Sequence, residues 1–483
     1  MSVLGIIDIG TSALTAQKTA LDVTSQNISN VNTPGYSRQT AILESSPAGY
    51  DGFQAATGGV RVSTITRSYD QFLMSQITSE SSSNGQLTTM QSALQNIQSL
   101  FSNSDTSGLG VAMQNFFNAW QDLSMNPQGV AERQTVLSTA QTLVGEFHNI
   151  SDNLNSVKSL ANQSLTTITS DINQKTQQIA ALNEQIVTAE QTGSDCNALL
   201  DSRDQLIKDL AGKVGISYYQ NQDGSMAVNL AGGPSLVQGN SSATLSLSVD
   251  SGNSNYYNVI ITPPNGGDST DITPLLVRSG GSSGELGGTL ALRDTTVNQF
   301  LSQLDELAST IANQVNSLHT AGYGLDGSTG INFFTPPPAP TPPATFTSGY
   351  SSTIGLNVND INQIAAASSN PTATNSTGNN VNALQIANLN NLSLPMTGGS
   401  TTLTGFYSAM VGSVGLAAQT NQNDVTQSNA VLQQLNTMRN SSAGVSLDEE
   451  LAGLVNYQKA FEGAAKLITT GQEMLDTILG MVH

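Results

Sequence analysis

The feature of this sequence that most constrains its fold is an apolar residue at every seventh position near both ends of the chain. These positions are Ile7, Leu14, Leu21, Ile28, Leu447, Leu454, Phe461, Ile468, Leu475 and Val482. A sustained seven-residue step is typical of a coiled-coil seam. Each large side chain contributes roughly 1.5 to 3 kcal/mol when it is buried, so both stripes need partners. We predict that the terminal helices pair with each other and with the same helices of neighbouring subunits. The alternative is a terminal helix docked on its own globular core.

The first helix is predicted to end near Val31. Thr33 precedes a proline and so avoids the helical region, and the Pro-Gly pair that follows suits the centre of a type II turn. Amide side chains that can cap carbonyls or bond the turn backbone crowd this helix end. The candidate terminal motif consists of Asn27, Asn30, Asn32, Pro34, Gly35 and Tyr36. By itself this motif indicates a helix stop, after which the chain turns back as an extended segment.

The interior of the chain is predicted to be helical, with one β insertion. Apolar residues recur three and four apart through about 70–105, 113–123, 130–189, 199–211, 287–318 and 403–438. Residues 216–261 instead alternate apolar and polar side chains between turn residues, which predicts strands. The prolines at 336–343 predict a stiff, extended linker.

We therefore predict a mainly α protein with an inserted small β domain. Its terminal helices pair as a coiled coil, and a bundle of long helices lies in the middle. The terminal coiled-coil domain is predicted at residues 1–60 plus 441–483, and the helical bundle at 61–212 plus 285–335 plus 400–440. The β-rich projection is predicted at 213–284, and a Pro-rich linker with an irregular, variable segment at 336–399.

The charge balance of the chain argues against some partners. Among 483 residues there are 15 Lys and Arg against 35 Asp and Glu, which gives a formal net charge of −20. Nucleic acid and acidic membrane surfaces repel such a chain, so neither is expected as a partner. Only 10% of the residues are charged, and uncharged polar surfaces suit packing between identical subunits, where a charge would meet its own copy.

No metal or cofactor site is expected. Cys196 is the one cysteine, so an intrachain disulfide is excluded, and it forms no zinc-type cluster with the three histidines. The turn at 326–330 lacks the further acidic side chains of a calcium loop. The Gly-rich run at 280–288 lacks the ending of a phosphate loop and is predicted to be a linker.

No catalytic residue is expected either. Asp201, Arg203 and Asp204 lie on one predicted helix, where they are interpreted as ion pairs that fix helix packing. His319 lies near a predicted helix end and is interpreted as a cap or packing residue rather than a base. No nucleophile lies in a recognisable setting.

Four stretches of the chain resemble bacterial flagellar rod, hook and hook-associated proteins. Residues 20–36 read ALDVTSQNISNVNTPGY, which is similar to the amino-terminal signature of that superfamily. The continuation SRQ narrows the resemblance to the first of the two hook-associated proteins that join the hook to the filament. Further matches are NALLDSRDQL at 197–206, LALRD at 290–294 and VSLDEEL at 445–451. The resemblance covers most of the chain and fades at about 215–280 and 335–400.

The resemblance implies a structural protein of the extracellular flagellum, at the hook-filament junction. Such subunits close into a ring between the hook protein below and a second junction protein above. They are exported through the flagellum's own type III apparatus without a cleaved signal, and the N-terminus here has no basic region before its apolar residues.

The resemblance and the terminal stripes together suggest how the free chain behaves. We expect a monomer in solution, with residues 1–40 and 445–483 disordered until assembly. An export chaperone is expected to bind the C-terminal helix.

The sequence is also compatible with three other functions. A hook or rod protein of the same superfamily would use the same terminal helices. A secreted coiled-coil adhesin or effector would present a binding surface without forming a ring. A glycan-cleaving enzyme would need a cleft with paired carboxylates, which the sequence does not display.

Overall fold

The computed structural model describes residues 3–45, 50–51, 54–55, 58–101, 107–278, 283–340, 346–374 and 376–481. The chain is mainly helical, as its periodicity predicts. The helices are α1 Val3–Ser29, α2 Gln71–Phe101, α3 Leu109–Met125, α4 Val130–Thr192, α5 Asn197–Lys213, α6 Thr273–Arg278, α7 Gly284–Ala291, α8 Val297–Ala321, α9 Pro371–Thr374, α10 Val381–Asn388, α11 Leu403–Ala443 and α12 Leu447–Gly480. The strands are β1 Gln39–Ser45, β2 Tyr50–Asp51, β3 Gln54–Ala55, β4 Val60–Arg67, β5 Ile216–Gln220, β6 Met226–Leu230, β7 Ser235–Gln238, β8 Ser241–Ser242, β9 Thr244–Asp250, β10 Tyr256–Thr262, β11 Thr270–Asp271, β12 Leu394–Met396 and β13 Gly399–Thr401.

Helix α4 spans 63 residues and organises the interior of the chain. Its first half buries Val136 and Phe147 in a core shared with α2, α3, α8, α10 and α11, which we call the bundle core. Its second half buries Leu165 and Ile179 in a separate core shared with α5, α7 and the strands of the insertion. The helix stops at Gly193, whose φ of 68° is left-handed, as is common just after a helix end. One helix therefore supports two cores, because its apolar face continues along its whole length.

The β insertion consists of two antiparallel sheets. One has the strand order β5-β6-β7-β8, and the other has the order β11-β10-β9. The turn before β6 contains Gly224, whose φ of 83° suits glycine. Met226, Val228 and Leu230 of β6 are buried, so this strand contributes to the core of the insertion. The predicted β insertion is confirmed.

Three asparagines on α4 hold the strands of the insertion by their backbones. Asn173 accepts a hydrogen bond from the N–H of Leu245 and donates one to its carbonyl, both at 2.8 Å. Asn183 bonds the N–H and carbonyl of Met226 in the same way, at 2.9 and 2.8 Å. Asn162 accepts a backbone N–H of β10 at 2.8 Å. A primary amide offers both a donor and an acceptor, so it satisfies strand groups that would otherwise need another strand.

The predicted helix at 287–318 is interrupted by a π-helical turn at Leu292–Thr296. This turn contains Arg293, whose side chain is fully buried. Its guanidinium donates to both carboxylate oxygens of Asp294 at 2.8 and 2.7 Å, to Asn162 Oδ1 at 2.8 Å and to the carbonyl of Tyr257 at 2.7 Å. Single π turns are typical of sites where a helix accommodates a special contact. Here the contact links α4, β10 and the start of α8.

The segment 336–399, predicted as a linker with irregular structure, contributes to the bundle core. Tyr350, Ile354 and Ile386 are at most 2% exposed within that core. Buried Arg133 of α4 binds the carbonyl of Ile364 at 2.8 Å. The segment is irregular, as predicted, and its scattered apolar residues are buried without a regular period, so nothing in the sequence indicated that they pack in the bundle core. The remaining domain boundaries stay a prediction.

The terminal region combines α1, α12 and a β hairpin. Strands β1 and β4 pair antiparallel from Gln39 opposite Arg67 to Ser45 opposite Val60, with an irregularity between Ile42 and Leu43. Both strands pack on α1, and α12 packs along α1. The predicted domain boundary at residue 60 therefore falls at the start of a strand whose partner lies on the other side of that boundary.

Candidate assembly interface

The terminal helices α1 and α12 run antiparallel and approach each other through glycines. A Cβ atom added to Gly471 of α12 would lie 2.8 Å from Cγ1 of Ile7. A Cβ atom added to Gly10 of α1 would lie 2.7 Å from Cγ1 of Ile468. Both separations are well below the roughly 3.5 Å at which carbon atoms attract. The seam therefore depends on these glycines as well as on the large side chains opposite them.

The large residues of the predicted stripes are only partly covered in the single chain. Half-buried positions are Ile7, Leu14, Leu21, Ile28, Leu454, Phe461, Ile468 and Leu475. Leu447 is 45% exposed, and Val482 lies outside the described residues. The buried positions of α12 are Glu450, Ala464 and Gly471. The role of the stripe residues in assembly stays a prediction.

Further apolar side chains on α12, and Met481 just after it, lie outside the seven-residue stripe and are exposed. They are Leu451, Val455, Leu467, Met474, Ile478, Leu479 and Met481, each between 47% and 81% exposed. Clustered exposed apolar residues are typical of interaction sites. Sequence reasoning that followed one step of seven missed these positions. The available signal was the spacing of 467, 474, 478 and 481, which forms a second stripe beside the first.

Asn27 is the centre of a hydrogen-bonded hub that joins both terminal helices to the first strand. Its side chain is 1% exposed. Its Oδ1 accepts from the hydroxyl of Tyr36 at 2.9 Å and from the N–H of Gln39 at 3.0 Å. Its Nδ2 donates to the carbonyl of Gln39 at 2.9 Å and to Glu450 Oε2 at 3.0 Å. All the hydrogen-bonding positions of the amide are used, so this residue does more than end a helix.

Pro34 and Gly35 form the turn that the sequence predicts. The φ of Gly35 is 86°, and the N–H of Tyr36 donates to the carbonyl of Thr33 at 3.2 Å. This geometry matches a type II turn, in which glycine suits the second central position. Pro34 is exposed, whereas the carbonyl of Gly35 accepts from Nη2 of Arg439 at 2.7 Å. The turn is thereby attached to α11.

The other two asparagines of the terminal motif lie outside the hub. Asn30 donates to the carbonyl of Gln26 at 3.0 Å and accepts from the hydroxyl of Thr33 at 3.1 Å. It caps the end of α1, which falls at Ser29, close to the predicted end. Asn32 is exposed.

Charged groups beside the hub attach β4 to α5. Nη1 of Arg67 lies 2.8 Å from Oδ1 of Asp201 and 2.6 Å from Oδ2 of Asp204. The other carboxylate oxygen of Asp201 accepts the N–H of Ser37 at 2.9 Å. Burial raises the pKa of Asp204, and the neighbouring Arg67 opposes that rise. The predicted ion pairs of this helix are present, but their partner comes from a strand because the hairpin folds back onto α5.

Arg203 makes its hydrogen bonds with α4 and the β insertion rather than with those carboxylates. It donates to Oδ1 of Asn183 at 3.1 Å and to the carbonyl of Gly224 at 3.0 Å. Its side chain is 1% exposed, and burial lowers its pKa. The prediction of an ion pair for Arg203 is therefore wrong: its neutral partners fix the turn of the β insertion to α4.

Arg38 connects the first strand to the start of α12. Its Nε donates to Oε1 of Glu450 at 2.7 Å, and its Nη1 donates to Oε2 of Glu449 at 2.9 Å. Its backbone N–H bonds the carbonyl of Ala443, the last residue of α11, at 2.8 Å. Burial, together with nearby carboxylates, raises the pKa of Tyr36 to about 12, so its hydroxyl keeps its proton and remains a donor.

Groups weighed as catalytic or metal-binding are engaged in packing or local turns. Nδ1 of His319 lies 2.7 Å from the carbonyl of Ile331, and its Nε2 accepts the N–H of Ala365 at 3.0 Å. Burial lowers the pKa of His319 to about 4, so the ring is neutral. Asp326 closes its own turn by accepting the N–H of Ser328 at 2.9 Å. In the part of the chain that the structure describes, no cluster of three His, Cys, Asp or Glu side chains is placed to hold a metal, and no helix is long and apolar enough to cross a membrane.

Three family models match the chain. The flagellar hook-associated protein FlgK helical domain matches residues 94–334, which include α4 and the β insertion. The flagella basal body rod protein model matches residues 7–36, and the flagellar basal body rod FlgEFG protein C-terminal model matches residues 439–481. The last two matches cover the terminal helices and most of the hub.

Curated relatives and a solved structure agree with these models. Flagellar hook-associated protein 1 of Bacillus subtilis is 28% identical over 494 aligned residues, covering 97% of this chain and 96% of the relative. The protein of the same name from Salmonella typhimurium is 27% identical over 557 residues, covering 99% of both chains. The flagellar hook junction protein FlgK from Burkholderia pseudomallei shares the fold, with a TM-score of 0.67, 20% identity, and coverage of 76% of this chain and 99% of that one.

The paired terminal helices and the family matches define the class as a structural protein of the bacterial flagellum. Within that class, the chain belongs to the flagellar hook-associated protein 1 family.

Proposed function

We propose that copies of this chain close into a ring that joins the flagellar hook to the filament, and that the filament requires this ring to assemble. The observation that carries the proposal is the exposed apolar surface of α12. Helix α1 covers one side of α12 only, and large apolar side chains remain in solvent along the rest of it. Such a surface is stable in an assembly, where neighbouring copies cover it.

The proposal assigns a task to each part of the chain. The terminal pair α1 and α12 forms the inner layer of the ring, the long helices form the layer outside it, and the β insertion projects from the surface. The hub around Asn27 transmits load between the layers, because Arg38 binds α12, Arg67 binds α5 and Arg439 binds the turn after α1.

Specific partners follow from the same proposal. The hook protein lies on one side of the ring and a second junction protein lies on the other. Before export, the exposed stripe of α12 suits capture by a chaperone groove. Export proceeds through the flagellar apparatus without cleavage of a signal peptide. We expect peptide mass spectrometry of the secreted protein to show its initial residues intact, and their removal would contradict that route.

The test is filament attachment in cells that lack this protein. They are supplied with the intact chain, with a chain lacking residues 445–483, or with a Leu467→Ser and Ile478→Ser double variant. We expect the truncation to leave bare hooks with flagellin shed into the medium. The double variant should reduce attached filaments about tenfold, because two half-exposed apolar contacts contribute on the order of 1 to 2 kcal/mol between copies.

The matched control changes two leucines outside α12 that are more exposed than Leu467 and Ile478, which are 48% and 51% exposed. Leu160 and Leu416 are 64% and 68% exposed, so a Leu160→Ser and Leu416→Ser variant loses similar apolar surface. We expect that variant to restore normal filaments. Filaments that persist in cells without any of the protein contradict the junction role and favour a secreted adhesin.

A further inference from the structure

A lysine and an asparagine from two different helices meet beside the π-helical turn. Lys158 of α4 is only 7% exposed, and its Nζ donates a hydrogen bond to Oδ1 of Asn298 of α8 at 2.7 Å. Nδ2 of Asn298 donates in turn to the carbonyl of Asp294 at 2.9 Å. This second bond orients the amide so that its carbonyl faces the amine. The turn at Leu292–Thr296 sets which side chains of α8 face α4, because a π turn contains one residue more than an α turn.

The surroundings of Lys158 control its charge. Burial lowers the pKa of its amine, the carboxylate of Asp294 opposes that shift, and the guanidinium of Arg293 adds to it. The ring of Tyr256, whose centre lies 5.1 Å from Nζ, attracts the ammonium form. Only the deprotonated amine is a nucleophile, and burial makes it more accessible than in a lysine at the surface. A transient loss of the proton is sufficient for a reaction that is made irreversible by a departing group.

We propose that Lys158 and Asn298 join in an isopeptide bond within the folded chain. Nζ attacks Cγ of Asn298, the bond between Cγ and Nδ2 breaks, and Nδ2 leaves as ammonia. The carboxylate of Asp294, whose charge acts on the amine, carries the surplus proton of the lysine to the leaving nitrogen. One ammonium ion is therefore released for each bond formed, and no oxidant or other reactant is needed. The bond lies within one chain, so this inference does not depend on the proposed function.

The reacting atoms are already close together. A carbonyl bond is about 1.2 Å long, so Cγ of Asn298 lies within about 4 Å of Nζ of Lys158. Reaction requires a separation of about 3 to 3.5 Å, which small changes in the lysine side-chain torsions provide. Well-oriented groups reach effective concentrations on the order of 10⁵ M, which offsets the low reactivity of an amide toward an amine.

A second lysine and asparagine pair provides an internal comparison. Nζ of Lys208 on α5 donates to Oδ1 of Asn436 on α11 at 3.1 Å. Nδ2 of Asn436 donates to the carbonyl of Leu432 at 2.7 Å, so this amide is oriented in the same way. Lys208 is half-buried, whereas Lys158 is buried, and its hydrogen bond is the longer of the two. We expect this pair to remain a hydrogen bond, and it serves as the control.

The bond would close a large loop of the chain. Residues 158 and 298 are 140 positions apart, and the segment between them contains the second half of α4, helix α5 and the β insertion. A cross-link removes conformational freedom from such a loop when the chain unfolds. The insertion would thereby stay joined to the helical bundle even in denaturant.

Mass spectrometry of the purified, folded full-length chain tests the bond. We expect an intact mass lower by one ammonia than the sequence requires, and a branched peptide that joins the segments around Lys158 and Asn298 after proteolysis. Lys158→Arg and Asn298→Ala should each retain the full mass, whereas the control Lys208→Arg should lose ammonia as the original chain does. On denaturing gels the original chain should migrate faster than Lys158→Arg, because a closed loop is more compact. Full mass after prolonged incubation, or loss of ammonia without the branched peptide, overturns the proposal.

The rate of bond formation tests the role of Asp294. The branched peptide is quantified at intervals after cell-free synthesis of the full chain. We expect Asp294→Asn to slow its formation at least about a hundredfold, since proton transfer by a positioned side chain contributes that much or more. Asp271→Asn is the matched control, because Asp271 is an exposed carboxylate of the β insertion, and it should leave the rate unchanged. An equal rate in folded Asp294→Asn and in the original chain overturns the proton transfer assigned to Asp294.

Discussion

Two long helices of this protein, α4 and α12, differ in how much of their apolar surface is buried within the chain. Helix α4 buries apolar residues in both of its halves, against other elements of the same chain. Helix α12 buries only Glu450, Ala464 and Gly471, and its large apolar side chains remain half-covered or exposed. A helix whose apolar side chains are buried by its own chain supports folding, whereas a helix whose apolar side chains are exposed is available for contacts with other copies.

The polar groups differ between the two regions as much as the apolar ones. On α4, Asn173 and Asn183 each satisfy both backbone groups of a strand residue. Beside α4, buried Arg203 binds an amide and a carbonyl, and buried Arg293 binds an amide, a carbonyl and the carboxylate of Asp294. Near α12, one hub around Asn27 makes the polar connection between the terminal pair and the first strand. The hub therefore fixes the end of α1 and the start of α12 to the first strand, and the rest of the two helices has fewer polar contacts with the chain.

Hydrogen exchange of the free chain should give the largest contrast. We expect amides of α12 between 460 and 481 to exchange at least about ten-thousandfold faster than amides of α4 between 136 and 186, because local opening of a poorly covered helix has little cost. Within the segments predicted to be disordered, 1–40 and 445–483, we expect one difference. Amides of residues 27–39, which the hub binds, should exchange more slowly than amides of residues 3–20. Equal protection of α12 and α4 contradicts the comparison.

Removal of a buried arginine should affect the α4 region next. Arg293→Met leaves the partly buried carboxylate of Asp294 and the carbonyl of Tyr257 without the guanidinium that binds them, which costs on the order of 3 kcal/mol. Calorimetry of the full chain should therefore show a lower melting temperature. Arg278→Met provides the control, because Arg278 is exposed at the end of α6, and it should change the transition little.

Acid should weaken the bundle core through His319. Its pKa is about 4 in the folded chain and about 6.5 when unfolded, so the unfolded chain binds the proton first as pH falls. This histidine stabilises the fold fully above pH 6.5, and about 3 kcal/mol of that stability is lost as pH falls to 4. Urea denaturation at pH 7 and pH 4.5 measures the loss. Trp120 lies 6.2 Å from the imidazole between ring centres and supplies the fluorescence signal.

A His319→Gln variant isolates this effect. Glutamine also has a donor and an acceptor but does not titrate, so the stability difference between the two pH values should be smaller by most of 3 kcal/mol, an order-of-magnitude figure. An unchanged difference means that His319 is not the group responsible.

The smallest expected effect is at the hub. Asn27→Ala leaves buried partners without hydrogen bonds, at a cost of about 2 kcal/mol, so the amides of β1 should exchange roughly thirtyfold faster. Asn32→Ala is the matched control, since Asn32 belongs to the same motif but is exposed. Equal effects of the two substitutions would indicate a general weakening of the turn rather than loss of the hub.

Much of this architecture is predictable from periodicity. The long helix α4, the β insertion, the pairing of the terminal helices and the turn at Pro34 and Gly35 all follow from local spacing and turn chemistry. The bonding role of Asn27 is not predictable in the same way, because its partner Glu450 lies more than four hundred positions away. The packing of segment 336–399 also escapes prediction, since its buried residues have no regular period.

The sequence by itself determined the long helices, the turn that follows the first of them, and the apolar stripes at the two ends, because these properties depend on neighbours within a few turns. Only the tertiary structure decided that Gly10 and Gly471 set the approach of α1 and α12, that Arg67 rather than Arg203 pairs with Asp201 and Asp204, and that large apolar side chains of α12 stay exposed. The physical reason is that burial and hydrogen-bond partners depend on which distant surfaces meet, and a local pattern contains no record of the surface opposite it.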